Sequence, residues 1–323
     1  MAATLQNIVL ILGTTALLCG CSSPKKGLTT NAVMDIDYCF PVSSEIDAHI
    51  IPNTYNTDSL LKYDTQLTAR YSRKEILLAN ATGIIPELKK ALTFAADTTG
   101  ASEQKLMLMQ FKIQQKIVLI RNAMDNTAAE LYCEQERTRR ISGVLINRNQ
   151  KSTNKLTVAS LIAGAATGLA PALIEKKGPQ NVVLLTGGVI TGLVSLALIK
   201  SSNKKIPFKY QRNFLGDIWY GPEKPKALPQ FIYLLLNTKE FSIQDSEYST
   251  RENIKRRWSL TEFGTDTDGG TYDLMFGNGG NFGTSDLNLR IALLNQLESS
   301  LKLLDTDVSS VLTHMNNFRL EPK

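Results

Sequence analysis

The sequence predicts a mainly α-helical protein with long antiparallel helices, a hydrophobic helical hairpin, and a smaller α or α+β region towards the C-terminus. Three observations lead to this prediction. Apolar residues recur three or four positions apart in the front half of the chain and again near its end. Two apolar runs without a charged residue, 156–174 and 182–199, flank a polar turn that contains Gly178 and Pro179. Prolines and glycines interrupt most of the region between 201 and 283.

The chain begins with a segment that is typical of a secretory leader. Its apolar run, 8–18, is about half as long as a membrane-spanning helix. The sequence Leu18-Cys19-Gly20-Cys21 follows and resembles the bacterial lipobox, in which a leucine stands three places before the lipid-bearing cysteine and a small residue directly precedes it. The resemblance implies cleavage before Cys21 and lipid on that cysteine. Because Ser22 follows in place of an aspartate, it also implies an outer-membrane location facing the periplasm.

Two features depart from the lipobox pattern. Residues 1–7 contain no Lys or Arg, and Cys19 occupies a position more often filled by Ala, Ser or Thr. A non-lipidated signal or a membrane anchor that happens to contain two cysteines is therefore the alternative.

The sequence divides into six segments with different compositions. These are a lipoprotein signal peptide (1–20), a lipidated tether and irregular segment (21–57), a long-helix region (58–155), a hydrophobic hairpin (156–200), a Pro/Gly-rich aromatic region (201–283) and a C-terminal amphipathic helix (284–323).

In the long-helix region, helical spacing runs from Asp58 to about Ala96, with a break expected near Gly83 and Pro86. A second helix is predicted to begin at Ser102 as its N-cap and to exceed about forty residues. Its apolar stripe comprises Leu106, Met109, Ile113, Ile117, Ile120, Met124, Ala128, Leu131, Ile141, Val144 and Leu145. Such a helix needs a partner for its stripe, either the 58–96 segment packed antiparallel or another copy of the protein.

The two apolar runs carry small residues at helical spacing. Ser160, Gly164 and Gly168 lie four apart in the first run, and Gly188 and Gly192 in the second. Small residues at this spacing let helix backbones approach closely in lipid. The segment resembles the glycine-zipper hairpins of other bacterial envelope proteins, which implies membrane contact or insertion. A hairpin buried inside a helical domain is the alternative.

The formal charge is +6, and basic residues flank the apolar runs. They are Arg137, Arg139, Arg140, Arg148, Lys151 and Lys155 before the first run, and Lys200, Lys204, Lys205 and Lys209 after the second. This placement favours lipid headgroups as a partner and argues against nucleic acid.

Behind the proposed lipidation site, Cys39 and Cys133 are the remaining cysteines. In an oxidising compartment they could form a disulfide between the tether and the long helix, or they could be two free thiols.

Further along, the aromatic residues of 206–283 are expected to form a small core, with a membrane-boundary role as the alternative. The run 231–236 is a short helix or a buried strand, and Thr250 is expected to cap a helix that ends at Trp258. The Gly/Asp-rich loop 264–283 lacks the spacing of an EF-hand and of a phosphate-binding loop, so its glycines are expected to supply turns.

The last helix is predicted to open at Thr284 or Ser285 with a near-heptad seam. The seam comprises Leu287, Ile291, Leu294, Leu297, Leu301, Leu304, Val308, Val311 and Met315. It suits a bundle contact within the chain, with self-assembly as the alternative.

The sequence contains no catalytic or metal-binding constellation, and no cofactor is expected. The two histidines, His49 and His314, lack partners at metal-ligand spacing. The expected function is structural and not enzymatic: an anchored subunit of an envelope assembly for secretion, motility or transport, in contact with membrane lipid and other envelope proteins as a homo- or hetero-oligomer. The alternative is a pore-forming or membrane-remodelling protein, since long helices joined to an apolar hairpin resemble α-helical pore-forming toxins.

Overall fold

One long helix runs through the molecule, and two other helices pack along its first part. The computed structural model is mainly α-helical, with one two-stranded sheet among the described residues, which confirms the predicted fold class. The described residues are 39, 50–53, 55–97, 100–173, 204–242, 247–264 and 269–317, with the backbone alone at 156, 159–173, 269, 316 and 317.

The secondary structure elements follow one another along the chain. The α-helices are α1 (Thr57–Tyr63), α2 (Thr65–Thr68), α3 (Arg73–Ala81), α4 (Ile85–Ala96), α5 (Gly100–Leu173), α6 (Phe214–Tyr220), α7 (Gln230–Asn237), α8 (Thr250–Trp258), α9 (Gly269–Phe276) and α10 (Thr284–Asn317). The strands β1 (Ile206–Lys209) and β2 (Gly279–Phe282) pair antiparallel. A 3₁₀ turn (Lys239–Phe241) follows α7, and a π-helical turn (Ser259–Phe263) follows α8.

The segment from 58 to 96, predicted to be helical with a break near Gly83 and Pro86, contains four helices. Asp64 ends α1 and caps α2, because its side chain accepts a hydrogen bond from the Leu67 N–H at 3.1 Å. Ser72 and Glu75 form a capping box at the start of α3. The predicted break at Gly83 is confirmed: its φ is 75°, and a Cβ there would lie 2.3 Å from the Ile51 carbonyl oxygen.

Helix α5 contains 74 residues and is about 110 Å long at about 1.5 Å per residue. It begins two residues before the predicted cap, and the Ser102 hydroxyl instead donates to the Asp97 carboxylate at 2.5 Å. It then continues without a break from the 58–155 segment into the 156–200 segment. The predicted stripe of α5 is buried, apart from the half-buried Ala128 and Val144.

Two helices pack antiparallel against α5. Near the start of α5, Lys116 contacts Glu87 of α4 at 2.9 Å. Farther along, α10 runs back beside α5, with hydrogen bonds from Arg121 to Thr313, from Gln135 to Glu298 and from Ser142 to Asn288. The seam of α10 is buried within the chain, apart from the half-buried Ile291 and Val311.

The elements from β1 to β2 form a C-terminal body beside α5 and α10. Its core is aromatic, with Trp219 stacked on Phe276 at 4.5 Å and Phe263 stacked on Tyr272 at 4.8 Å. The 231–236 run belongs to a helix, α7. Helix α8 is capped by Ser249, one residue before the predicted cap.

A buried carboxylate fixes the connection between α6 and α7. Asp217 accepts hydrogen bonds from the backbone N–H groups of Lys226, Ala227 and Leu228 at 2.7 to 3.0 Å. Since Asp217 is buried, these donors compensate its desolvation and hold the proline-rich connection in place.

Two buried arginines hold β1 between α5 and α10. Arg137 of α5 donates to the Lys209 carbonyl at 2.8 Å and lies over the Phe208 ring at 4.6 Å. Arg290 of α10 lies over the Tyr210 ring at 3.7 Å. The sequence placed Arg137 in a basic cluster beside the apolar run, but its role in this structure is to join the helical core to the body.

Candidate membrane and partner surfaces

Helix α5 extends well past the last of its buried residues. Leu145 is the last buried residue of α5 among those whose side chains are described, and exposed or half-buried residues follow it. Lys204 reaches this part of the helix, where its Nζ donates to the Ser152 hydroxyl at 3.1 Å. Residues 146–173, here called the projecting segment, extend about 40 Å beyond Leu145.

The first turns of the projecting segment are basic. Arg148, Lys151 and Lys155 are exposed, and none of them forms an ion pair with a described residue. Arg139, from the same predicted cluster, is instead paired with Glu136. The three unpaired cations therefore lie directly before the apolar run, where cations at a bilayer boundary are expected.

The predicted hairpin lies only partly within the described residues. Ser160, Gly164 and Gly168 fall on the helical backbone of α5, on one face because they are four apart. Gly188, Gly192 and Cys21 lie outside the described residues. Within the part of the chain that the structure describes, no helix is long and apolar enough to cross a membrane.

A disulfide joins Cys39 to Cys133, with their Cα atoms 5.7 Å apart. Cys133 lies in the packed part of α5, between the contacts to α4 and the projecting segment. The bond therefore attaches the N-terminal tether to the side of the long helix.

Comparison of the chain with known protein families, with curated proteins and with solved structures finds no match. The arguments about function below therefore rest on the residues and geometry of this chain.

Of the two histidines, His314 has a structural contact and His49 lies outside the described residues. The Nδ1 atom of His314 is 2.6 Å from the Glu75 carboxylate. Burial alone would raise the pKa of Glu75, but hydrogen bonds from His314 and Ser72 outweigh it and hold the pKa below its usual value. No group of three or more His, Cys, Asp or Glu side chains that could hold a metal ion occurs among the described residues.

The sequence reasoning missed one exposed feature and part of a second. The first is an apolar strip on the outer face of α5, opposite the predicted stripe, formed by Met107, Leu108, Phe111 and Val118. The sequence feature that could have revealed this strip is the presence of apolar residues between the stripe positions. A groove of about 430 Å³ adjoins the strip where α10 reaches its last turns, and Val118 and Leu312 are among its lining residues.

The second feature is the exposed side of α8, here called the α8 face: Arg256, Arg257 and Leu260 are exposed, and the half-buried Arg251 and Lys255 lie on its flank. The sequence showed the four cations, but it could not show which of them have carboxylate partners. No ion pair of any of the four is found in the described residues. Leu260, in the π-helical turn, is 77% exposed.

Proposed function

We propose that this protein is a lipid-anchored subunit of a bacterial envelope assembly, held in the outer membrane through Cys21 and facing the periplasm. Its role is structural: the lipid holds one end, and α5 carries the apolar segment to a membrane or to partner helices some distance away. The proposal includes oligomerisation with itself or with other envelope proteins.

The observation that carries the proposal is the projecting segment. A globular domain buries the apolar surface of its helices, yet α5 continues about 40 Å past Leu145, the last buried residue among those whose side chains are described, and its sequence from 156 to 173 carries no charge. Apolar surface of this extent calls for lipid or another protein. The unpaired Arg148, Lys151 and Lys155 beside it are suited to lipid phosphates or to acidic residues of a partner.

The disulfide supports an anchoring role, because it fixes one point of the N-terminal tether to the packed part of α5. The apolar strip from Met107 to Val118 adds a second surface for a partner, at the opposite end of the helix from the projecting segment.

The lipid anchor is tested by mass spectrometry of the mature protein and by membrane fractionation. The comparison is the wild type against a Cys21→Ala variant exported by a cleavable signal that does not require lipidation. We expect a diacylglycerol-modified Cys21 and membrane retention of the wild type. An unmodified Cys21 in the mature wild type would exclude the anchor.

The same fractionation tests the hairpin. Release of the variant into the soluble periplasm would mean that the lipid is the sole anchor and that the hairpin is buried in protein. Retention through high salt and alkaline wash would mean that the hairpin inserts into the membrane.

The assembly role is tested by photo-cross-linking in cells. A cross-linking residue replaces Arg148 or Lys151 on the projecting segment, and Lys224, exposed on the C-terminal body, serves as the control position. We expect adducts of discrete size from the projecting segment and none from Lys224. The absence of adducts from Arg148, Lys151 and the strip residue Phe111 would contradict the assembly role.

Dye-loaded liposomes separate this function from pore formation. A scaffold is expected to release no dye when the purified protein is added. Dose-dependent release would favour a pore-forming protein.

A further inference from the structure

The side chains of the four α8 cations contact neutral groups, and the carboxylate of Glu252 partly compensates the charges of Arg251 and Lys255. Arg251 donates to the Ile218 carbonyl at 2.9 Å and to the Asn237 side-chain oxygen at 2.8 Å. Lys255 lies over the Trp219 ring at 5.2 Å. These contacts fix the positions of the two half-buried cations at the flank of the α8 face.

The other two cations follow the same pattern. The Arg256 guanidinium lies 4.1 Å from the centroid of the Tyr248 ring, and Arg257 donates to the Ser300 hydroxyl at 3.4 Å. The one carboxylate on α8, Glu252, accepts hydrogen bonds from the backbone N–H and the hydroxyl of Ser249, which occupies it as part of the helix cap.

The pKa of Lys255 reports on the charges around it. Burial lowers this pKa and the charge of Arg251 lowers it further, while the charge of Glu252 raises it. Arg251 and Lys255 are like charges one helical turn apart, and Glu252 offsets part of their repulsion.

The helix dipole accounts for only part of this arrangement. Cations in the last turn of a helix are favoured, which suits Lys255, Arg256 and Arg257. Arg251 lies in the first turn of α8, where a positive charge is disfavoured, but it donates to the Ile218 carbonyl near the C-terminus of α6, where a cation is favoured. The helix dipole does not account for the 77% exposure of Leu260.

Apolar side chains border the cations. Leu260 projects from the π-helical turn, while Phe263 of the same turn is buried in the aromatic core. Tyr220 and Leu303 on neighbouring helices are also more than half exposed. Arginine and lysine combined with exposed leucine and tyrosine are typical of a surface that contacts the interfacial region of a bilayer.

We infer that the α8 face binds the surface of an anionic bilayer, with Arg256 and Arg257 on lipid phosphates and Leu260 among the headgroups. The inference rests on the proposed function in that lipid anchoring brings the body close to a membrane. It adds which side of the C-terminal body faces the lipid.

Vesicle co-sedimentation tests this binding with the full mature chain carrying Cys21→Ser in place of the lipid. The vesicles are phosphatidylcholine alone or phosphatidylcholine mixed with phosphatidylglycerol. We expect tighter binding to the anionic vesicles, weakened by salt. The double variant Arg256→Gln/Arg257→Gln should bind them on the order of 30-fold more weakly, about fivefold for each cation.

The control is Lys224→Gln/Lys226→Gln, which removes the same charge from two exposed lysines of the same body and should bind like the unsubstituted chain. Equal binding by the two double variants would overturn the inference. Equal binding of the unsubstituted chain to neutral and anionic vesicles would also overturn it, because insertion of the hairpin alone would then account for the binding.

A local probe reports on the face itself. An environment-sensitive dye on a Leu260→Cys thiol should shift its emission to the blue with anionic vesicles only, and the same dye on Met107→Cys, also exposed, should not. No shift at position 260, or equal shifts at both positions, would contradict the inference. If Arg256→Gln/Arg257→Gln leaves vesicle binding unchanged but removes a cross-link to an acidic protein in cells, the α8 face binds a protein partner instead.

Failure here is distinguishable from failure of the proposed function. The fractionation and the cross-links from Arg148 concern the lipid and the projecting segment, and neither depends on α8.

Discussion

The two parts of α5 share one continuous backbone but differ in how their apolar residues are arranged. Up to Leu145, apolar residues form a stripe on one side, and α4, α10 and the C-terminal body cover it. Beyond residue 155, the sequence is apolar around the whole circumference and rich in small residues. The first pattern needs a partner on one side, which the chain supplies. The second needs surroundings that are apolar on every side.

This difference implies that the two parts of one helix have separate roles. The packed part determines the stability of the protein, and the projecting segment provides one of its proposed contact surfaces. Substitutions of similar size should therefore have unequal effects on the free energy of unfolding in the two parts.

The largest difference is expected between Ile120→Ala and Val158→Ala. Ile120 is fully buried, so its truncation should lower the free energy of unfolding by about 2 to 5 kcal/mol through lost burial and a residual cavity. Val158 is 57% exposed, and its truncation should change this free energy by no more than about 0.5 kcal/mol. Urea denaturation measures both. A similar loss in the two variants would mean that the projecting segment is packed.

Reduction of the disulfide should have the next largest effect. Cys39 and Cys133 are 94 residues apart, and opening a loop of that size is expected to lower the free energy of unfolding by about 2 to 4 kcal/mol. Thermal unfolding with and without a reducing agent measures the change. The Cys39→Ser variant is the control, since the reductant should not alter its unfolding temperature.

Removing the buried carboxylate of the C-terminal body should lower the free energy of unfolding by about 2 to 3 kcal/mol. Asp217→Ala leaves three backbone N–H groups without their acceptor in a buried setting. Asp286→Ala is the comparison, because Asp286 accepts from a single backbone N–H, that of Gly283, and its loss should cost about 1 kcal/mol. Equal losses, measured by urea denaturation, would show that the α6–α7 connection does not depend on Asp217.

The smallest predicted effect is the pH dependence of the contact between Glu75 of α3 and His314 of α10. The pKa of Glu75 is lowered by folding, so its stabilisation is present above about pH 4.3 and is lost as the pH falls through the folded-state pKa. Glu75→Gln should be less stable than the wild type at pH 6, and the difference should shrink between about pH 5 and 3. Urea denaturation at several pH values measures it.

Asp305 provides a control of opposite sign. Burial and the charge of Asp125 raise its pKa, so the ionised carboxylate opposes folding at neutral pH. Asp305→Asn should therefore gain stability at pH 6 and lose that gain under acid. The same pH trend in both variants would contradict these assignments.

Local patterns were sufficient to predict some of these features. The period of the stripe on α5 and of the seam on α10 identified both helices, because each buries one face along its length. Gly83 and Pro86 identified the break before α4, because few other residues take these backbone conformations.

Long-range contacts were not predictable in the same way. Arg137 lies in a basic run and is expected at the surface, yet it is buried because the Lys209 carbonyl and the Phe208 ring come from a distant part of the chain. For the same reason, the sequence could show the four cations of α8 but not that Lys255 lies over Trp219 and Arg256 over Tyr248, with no ion pair to a described carboxylate.

The disulfide limits how far the lipid of Cys21, in the proposed anchor, can lie from the long helix. Seventeen residues lie between Cys21 and Cys39, and a fully extended chain over this interval spans at most about 60 to 65 Å. From Cys133 to Leu173, α5 extends about 60 Å. The tether and this part of the helix thus have matching maximum lengths. In the disulfide-bonded protein, the apolar end of α5 can therefore lie in the same leaflet as the lipid. When the tether and the helix point in opposite directions, the apolar end lies up to about twice that length from the lipid.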